Sequence, residues 1–412
     1  MGKRLIVIGA GASGLIAAGR AAQCGADVVI LEKMQRPARK LMITGKGRCN
    51  LTNIAEVHEF VSHFGANGKF LHRAFGAFFS DNLLSLLDDL GVETVIERGG
   101  RVFPKSNSAR DVVNALTRWI KQSGVEVCTN SPVKSLRINN LKIEGAIVSG
   151  GKEFACDAVI IATGGASYPA TGSSGDGYKL AESVGHRINP IHPALVPLEV
   201  SGEICGRLQG LSLKNVKLTL WVNDKKEREE FGEMLFTHFG LSGPIVLTVS
   251  GMAVRAIVAG KSVRVSIDLK PALDDKKLDS RLLREFSEHS KKQYSSVLRT
   301  LLPPKMIPIC AELTGILEDR KVSQISGIER KTLRNWLKGF KLEISGYRPF
   351  EEAIITSGGV DVREVNPGTM ESKIVKNLYF AGEVLDIDAD TGGYNLQAAF
   401  STGWLAGTSA AK

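Results

Sequence analysis

Residues 4–14 read RLIVIGAGASG: a short apolar run, then Gly9, Gly11 and Gly14 at the spacing G-x-G-x-x-G, opening an alanine-rich segment to Cys24 with apolar residues at helical spacing. Strand, tight turn and helix in that order leave few folds open. Gly9 permits the sharp turn, Gly11 lets a pyrophosphate approach the backbone, Gly14 lets helix pack on strand, and the helix N-terminus favours phosphate charge. A second apolar run, Val28 to Leu31, ends at Glu32, 18 residues after Gly14, where a carboxylate can accept adenosine ribose hydroxyls. The context predicts a βαβ dinucleotide-binding unit on a parallel sheet.

Downstream, 82–90 and 109–121 read as helices, the second with Val112, Val113, Leu116, Trp119 and Ile120 on one face. From 125 to 161 the pattern becomes short strands separated by Asn139-Asn140 and Gly150-Gly151 turns, a β-meander that returns to the parent sheet. The proline-punctuated stretch NPIHPALVPLEV, from 189, suits neither a helix nor a central strand and marks a boundary near 190. Beyond it, alternation at 216–222 and 263–269 predicts half-buried antiparallel strands, and 272–340 is mostly helical and densely charged. Strand-like and glycine-rich character resumes at about 346, with LYFAGE at 378–383 and an apolar final segment. The fold class is therefore α/β: a Rossmann-like dinucleotide-binding domain with a β-meander, of the two-dinucleotide-binding type, split as 1–190 and 346–412 by an inserted mixed α/β domain at 191–345.

Three features favour FAD over a nicotinamide as the resident dinucleotide. The meander leads into Ala162-Thr163-Gly164-Gly165, and a late strand ends in Ala381-Gly382-Glu383, glycines that permit close passage of a cofactor. No second strand-linked G-x-G-x-x-G follows, because the glycines from Gly172 to Gly177 come after a proline-containing loop. NADH or NADPH would then serve only as a transient electron donor. The six cysteines form no C-x-x-C pair and no Cys/His cluster of zinc spacing, so no metal site is expected and the thiols read as reduced. Glycines break the apolar N-terminal run, and no stretch reaches 18 apolar residues; we expect a cytoplasmic protein without a membrane association.

The blocks GKGRCNLTN (45–53), GGASYPATGSSGDGY (164–178), LFTHFGLSGP (235–244), TMESK (369–373) and LYFAGEVLDIDADTGGYNLQAAFSTG (378–403) are long and specific. Through them the whole chain resembles the bacterial BaiN/RdsA (YhiN-like) family of NAD(P)/FAD-dependent oxidoreductases. The resemblance implies FAD held by the N- and C-terminal parts and reduction of a carbon–carbon double bond, in a bile acid intermediate for one member and in a uridine of 23S rRNA for another. It further implies an adenosine-diphosphate site at Gly9, Gly11, Ala12, Ser13, Gly14, Glu32 and Lys33, and a loop of Gly47, Arg48, Cys49 and Asn50 beside the flavin. Val133 would contact the adenine, Thr163 and Gly164 the pyrophosphate, and Gly382 and Glu383 the ribityl chain. Gly393, Tyr394, Asn395 and Leu396 would bring the N-terminus of the last helix to the pyrimidine edge of the ring.

Reduction of an activated double bond needs a proton donor as well as a hydride. Cys49 is one candidate, or else a small residue packed against the ring; Tyr168 and His238 are further acids, and Arg101 can orient an anionic or carbonyl group. Between 270 and 341 the chain carries 16 Lys/Arg against 9 Asp/Glu, most of its formal excess of +10. With Tyr294 and Trp336 interspersed, that insert suits phosphate contacts to 23S rRNA or another RNA, or is a solvated helical face. Three functions follow: an rRNA uridine reductase, a reductase of a small enone or steroid-like molecule, and a non-catalytic flavin-bound RNA- or ribosome-binding or redox-sensing protein.

Overall fold

Runs of buried aliphatic residues bounded by glycine make the central sheet, in a computed structural model that describes residues 2–412. Five parallel strands lie in the order Leu378–Phe380, Ala158–Ile161, Arg4–Ile8, Asp27–Leu31 and Glu126–Cys128. Leu5 to Ile8, Val28 to Leu31 and Val159 to Ile161 are all buried, as strands covered on both faces require. The fingerprint helix, Ala12–Gln23, follows the first strand directly, and Ala109–Gln122 lies against it with Trp119 in contact distance of Gly19. The meander forms a separate antiparallel sheet, Val133–Asn139, Lys142–Val148 and Glu153–Ala155. Asn140 and Leu141 adopt the left-handed conformation that its first tight turn needs.

The chain divides into two compact units, one of residues up to Pro193 together with Phe350–Lys412, the other Ala194–Pro349. Both breaks lie a few residues beyond 190 and 345, because each of those positions falls inside a strand. Ile188–Ala194 pairs only with Ile355–Val360, a two-stranded ladder whose outer edges tolerate Pro190 and Pro193. Phe340–Tyr347 belongs to the second unit, where it closes a barrel of six strands with Leu198–Val200, Ser212–Val222, Lys225–Phe236, Gly240–Ser242 and Val263–Asp268. The helices Asp275–Glu288, Met306–Thr314 and Gly327–Lys338 share that unit's own apolar core, which includes Leu218, Val265, Leu282 and Leu333.

The C-terminal helix, Tyr394–Ala410, runs parallel to the fingerprint helix at very close range. A Cβ on Gly403 would lie 2.4 Å from the Ser13 carbonyl oxygen, and one on Gly407 would lie 2.3 Å from that of Ala17. In this register the C-terminal helix starts eight residues earlier than its neighbour, an offset of about 12 Å at 1.5 Å per residue. Among the described residues no helix is long and apolar enough to cross a membrane.

Candidate functional site

The sharp turn after the first strand is built as the glycine spacing demands. Gly9 has a φ of +100°, and its N–H donates to the Leu31 carbonyl at 2.9 Å. A Cβ on Gly14 would stand 1.9 Å from the Gly9 oxygen, so only glycine lets the helix approach this closely. At Gly11, by contrast, a Cβ would meet nothing within 4 Å. Gly11 is also the N-cap of a helix with no side-chain cap and no acid in its first turn. Unshared N–H groups, the positive end of the dipole and open room beside Gly11 are what a pyrophosphate needs, so these residues fit FAD.

Ala12 and Ser13 form the first turn, and the Ser13 hydroxyl donates to the Ala381 carbonyl at 3.3 Å. Gly382 is left-handed and lies against Ser13, with its N–H donating to Thr402 Oγ1 at 2.9 Å. Glu32 is buried, and its oxygens accept from the N–H groups of Ala10 at 2.7 Å and Met34 at 2.8 Å. Each oxygen keeps a lone pair, and the carboxylate also clamps the glycine turn. The Ser131 N–H donates to the Glu32 carbonyl at 2.9 Å, which brings the start of the Val133 strand to the same end of the sheet. Lys33 is committed to Ser174 and to Asp176, the latter at 2.6 Å, and so ties the 172–177 loop to this end. Thr163 and Gly164 follow the third buried strand, covered by Gly177 and Ser173.

Glu383 is occupied in a way no local pattern announced. Its Oε2 accepts from Lys40 Nζ at 2.7 Å, and its Oε1 accepts from the Thr356 N–H at 2.7 Å and from the Ser167 hydroxyl at 3.1 Å. Lys40 also donates to Ser167 at 2.6 Å. Chain segments more than 300 residues apart thus meet in one ion pair.

The 44–50 loop lies against the start of the C-terminal helix. With its oxygen turned to Gly393, the Asn50 side chain accepts from that N–H at 3.0 Å and donates to the Thr52 carbonyl at 3.2 Å. A Cβ on Gly393 would overlap the Thr52 carbonyl. Gly47 sits in the same loop, half-buried and left-handed. Arg48 faces away from this contact, pairing with Glu97, donating to Asn107 at 2.7 Å and lying 4.2 Å over the Phe103 ring.

Cys49 is 0% exposed, and burial pushes its thiol up to about 12 against a lowering hydrogen bond from Thr44. A side chain without solvent contact faces no open site in this structure, which favours the packing reading of Cys49 over the proton donor. Tyr168 is left-handed, with its N–H donating to the Phe350 carbonyl at 3.0 Å. Arg101 is exposed on the small antiparallel sheet of Thr52–Asn53, Arg101–Pro104 and Thr94–Glu97, its Nε donating to the Arg98 carbonyl at 3.1 Å. His238 belongs to the other unit, in the turn between Lys225–Phe236 and Gly240–Ser242, edge-on to Phe239.

At the helix N-terminus itself Tyr394 joins a cluster whose other members, His63, Phe60 and Asp390, sequence reasoning missed. Tyr394 is stacked on His63, with ring centroids 3.9 Å apart and planes 20° apart, and Phe60 meets it edge-on at 4.7 Å. His63 Nδ1 lies 3.1 Å from Asp390 Oδ2. Asn395 fixes the preceding backbone, accepting from the Ala389 N–H and donating to the Ala389 carbonyl, both at 2.9 Å. Burial raises the Tyr394 phenol, with Glu59 and Asp390 adding to the effect. Leu396 packs half-buried against the main core.

The family described as "HI0933-like protein Rossmann domain" matches residues 3–409. The 3-dehydro-bile acid delta(4,6)-reductase of Clostridium scindens is 33% identical over 416 residues, 99% of each chain. The ribosomal RNA dihydrouridine synthase of Escherichia coli is 30% identical over 399 residues, 97% of this chain and 96% of its own. Among solved structures, the open conformation of a flavocytochrome c3 fumarate reductase superposes with a TM-score of 0.51 at 15% identity, over 99% of this chain and 78% of that one, a likeness of fold.

Proposed function

Since the chain belongs to the HI0933-like Rossmann family and is an FAD-dependent oxidoreductase, we propose that it reduces a carbon–carbon double bond conjugated to a carbonyl, in a uridine of 23S rRNA. Dihydrouridine is uridine saturated beside a ring carbonyl, and a 3-oxo-delta(4) bile acid presents the same conjugated unit. One chemistry covers both named relatives. Bound FAD supplies hydride transfer. Gly11, Ser13 and the uncapped helix they open would hold its pyrophosphate, and Glu32 its ribose. NADH or NADPH is the transient donor in this reading, and the cytoplasm its compartment.

The observation that carries RNA as substrate is a lysine cluster in the 194–349 unit. Most arginines there are neutralised, Arg320 by Glu329, and Arg330 by Asp279 at 3.1 Å; Lys338 likewise pairs with Asp268 at 2.5 Å. Lys291, Lys292 and Lys321 are exposed, and among the described residues none has an acidic partner. A bridge between Gln293 and Lys321, and the Val322 N–H donating to the Lys292 carbonyl at 3.0 Å, gather the three on one short ladder. Unpaired lysines on a fixed backbone suit phosphate contacts. Acting on a small enone is the second reading, favoured by the end-to-end 33% identity to the bile acid reductase.

The test is anaerobic reduction of the FAD-loaded protein with NADH or NADPH, then mixing with undermodified 23S rRNA or with a 3-oxo-4-ene steroid. Reoxidation by the RNA with new dihydrouridine supports the first reading. Reoxidation by the steroid alone moves the assignment to the second, and reoxidation by neither removes both.

A further inference from the structure

We propose that His63, oriented by Asp390, donates the proton that completes the double-bond reduction, an inference that rests on the reductase reading above. The carbon beyond the carbonyl-conjugated bond takes up a hydride from the reduced cofactor; the π electrons move to the carbon next to the carbonyl; that carbon must then be protonated. With His63 as donor, the Nε2–H bond breaks, the new C–H bond forms, neutral imidazole remains, and water returns the proton. Electrons and atoms balance with the cofactor's hydride and one solvent proton.

Four observations select His63. The C-terminal helix begins about 12 Å before the fingerprint helix along their shared direction, so an FAD whose pyrophosphate lay at Gly11 would extend past that turn towards Gly393 and Tyr394. His63 lies flat on Tyr394, 3.9 Å away, at that same helix end. Its Nδ1 is taken by Asp390 at 3.1 Å, which sets the ring orientation, and Nε2 on the opposite side of the ring has no protein partner among the described residues. The His63 side chain keeps 26% of its exposure, whereas Cys49 keeps none and the Tyr394 phenol is buried with its proton held more tightly than usual. Asp390 is a positioning residue: the loop that bears it is pinned by Asn395 on both sides of the Ala389 peptide.

The experiment uses the full-length, FAD-loaded protein, reduced with dithionite so that the natural donor is irrelevant, and mixed in stopped flow with undermodified 23S rRNA or a 3-oxo-4-ene steroid. His63→Gln should slow reoxidation by about 100-fold or more. Its FAD affinity, read by quenching of flavin fluorescence, should be unchanged. Added imidazole should restore His63→Ala in proportion to its concentration, and Asp390→Asn should displace the pH profile of reoxidation while Asp390→Glu returns it towards wild type. Wild-type rates in His63→Gln with FAD bound would overturn the assignment, as would loss of FAD affinity without imidazole rescue, which makes His63 a packing residue. Wild-type protein that neither substrate reoxidises fails the reductase reading itself and takes the donor with it; the wild-type control separates that outcome from the other two.

Discussion

Gly11 and Gly14 stand three residues apart and fail differently when given a side chain. A methyl at Gly11 points into open space, so Gly11→Ala should leave the melting temperature of the apoprotein unchanged and weaken FAD binding at least about tenfold, ~1.4 kcal/mol, by titration of flavin fluorescence. A methyl at Gly14 collides with the Gly9 carbonyl, so Gly14→Ala should destabilise the fold by roughly 1–3 kcal/mol, seen in thermal or urea unfolding. His186 gives the residue-scale dependence on pH. The Ser372 hydroxyl accepts from the N–H groups of Ile374 and Val375, so its own proton goes to His186 Nε2 at 2.7 Å and the buried imidazole is neutral. Burial lowers its affinity for a proton from the usual 6.5, opposed by Glu364, whose oxygen lies 3.3 Å from Nδ1 outside hydrogen-bond alignment. The unfolded chain takes up that proton first. Stability from this group is therefore complete above pH 6.5 and declines as pH falls below it; the melting temperature should drop over that range, and His186→Gln should flatten the drop. What was legible here was contiguous. The fingerprint glycines and Glu32 act through backbone within one βαβ unit, whereas His63 meets Asp390 across 327 residues and Lys40 meets Glu383 across 343, pairings that exist only once the sheet has assembled.

At the scale of elements, the two parallel helices set how rigidly the site is held. Gly403 and Gly407 are one turn apart and face Ser13 and Ala17 on the fingerprint helix, so a larger residue at either must separate the pair. Gly407→Val is expected to cost about 1–3 kcal/mol in unfolding free energy. Gly403→Val, opposite Ser13, should in addition weaken FAD binding, because it displaces the first turn of the fingerprint helix, whose uncapped N–H groups fit a pyrophosphate; comparing the two by thermal shift with and without FAD checks this. Several elements were readable from periodicity: 82–90 became Ser80–Asp89, 109–121 became Ala109–Gln122, and 263–269 became Val263–Asp268. Others were not. Thr52–Asn53, Thr94–Glu97 and Arg101–Pro104 are too short to show alternation, and the first joins the third only across intervening helices. In Phe340–Tyr347, buried Phe340, Leu342 and Ile344 do alternate with Lys341, Glu343 and Ser345, but the strand's partners lie far upstream at 263–268 and 198–200, and the return of glycine-rich character at about 346 had placed a boundary within it.

For the molecule as a whole, cofactor and RNA should be separable by charge. Reversing Lys291, Lys292 and Lys321 to glutamate should weaken binding of 23S rRNA fragments and lower the dependence of log K on log salt by up to ~2 for single-stranded contacts. FAD affinity should not change, since none of these residues belongs to the unit that carries the glycine turn; filter binding across a salt series, beside flavin titration, reads both. Composition foretold the basic excess of 270–341 but not its distribution, because Asp279, Asp268 and Glu329 neutralise arginines and a lysine that lie beside them only after folding. One further property follows from the two-stranded ladder. The outgoing segment Ile188–Ala194 and the returning segment Ile355–Val360 are hydrogen-bonded neighbours, and the Arg187 carbonyl accepts from the Asp361 N–H at 3.0 Å. The chain thus leaves and rejoins the flavin-type unit at nearly one point. Whatever lies between those strands can be lengthened, shortened or exchanged during descent without altering the span it must bridge, so the inserted unit is free to diversify while the unit that carries the glycine turn is inherited intact.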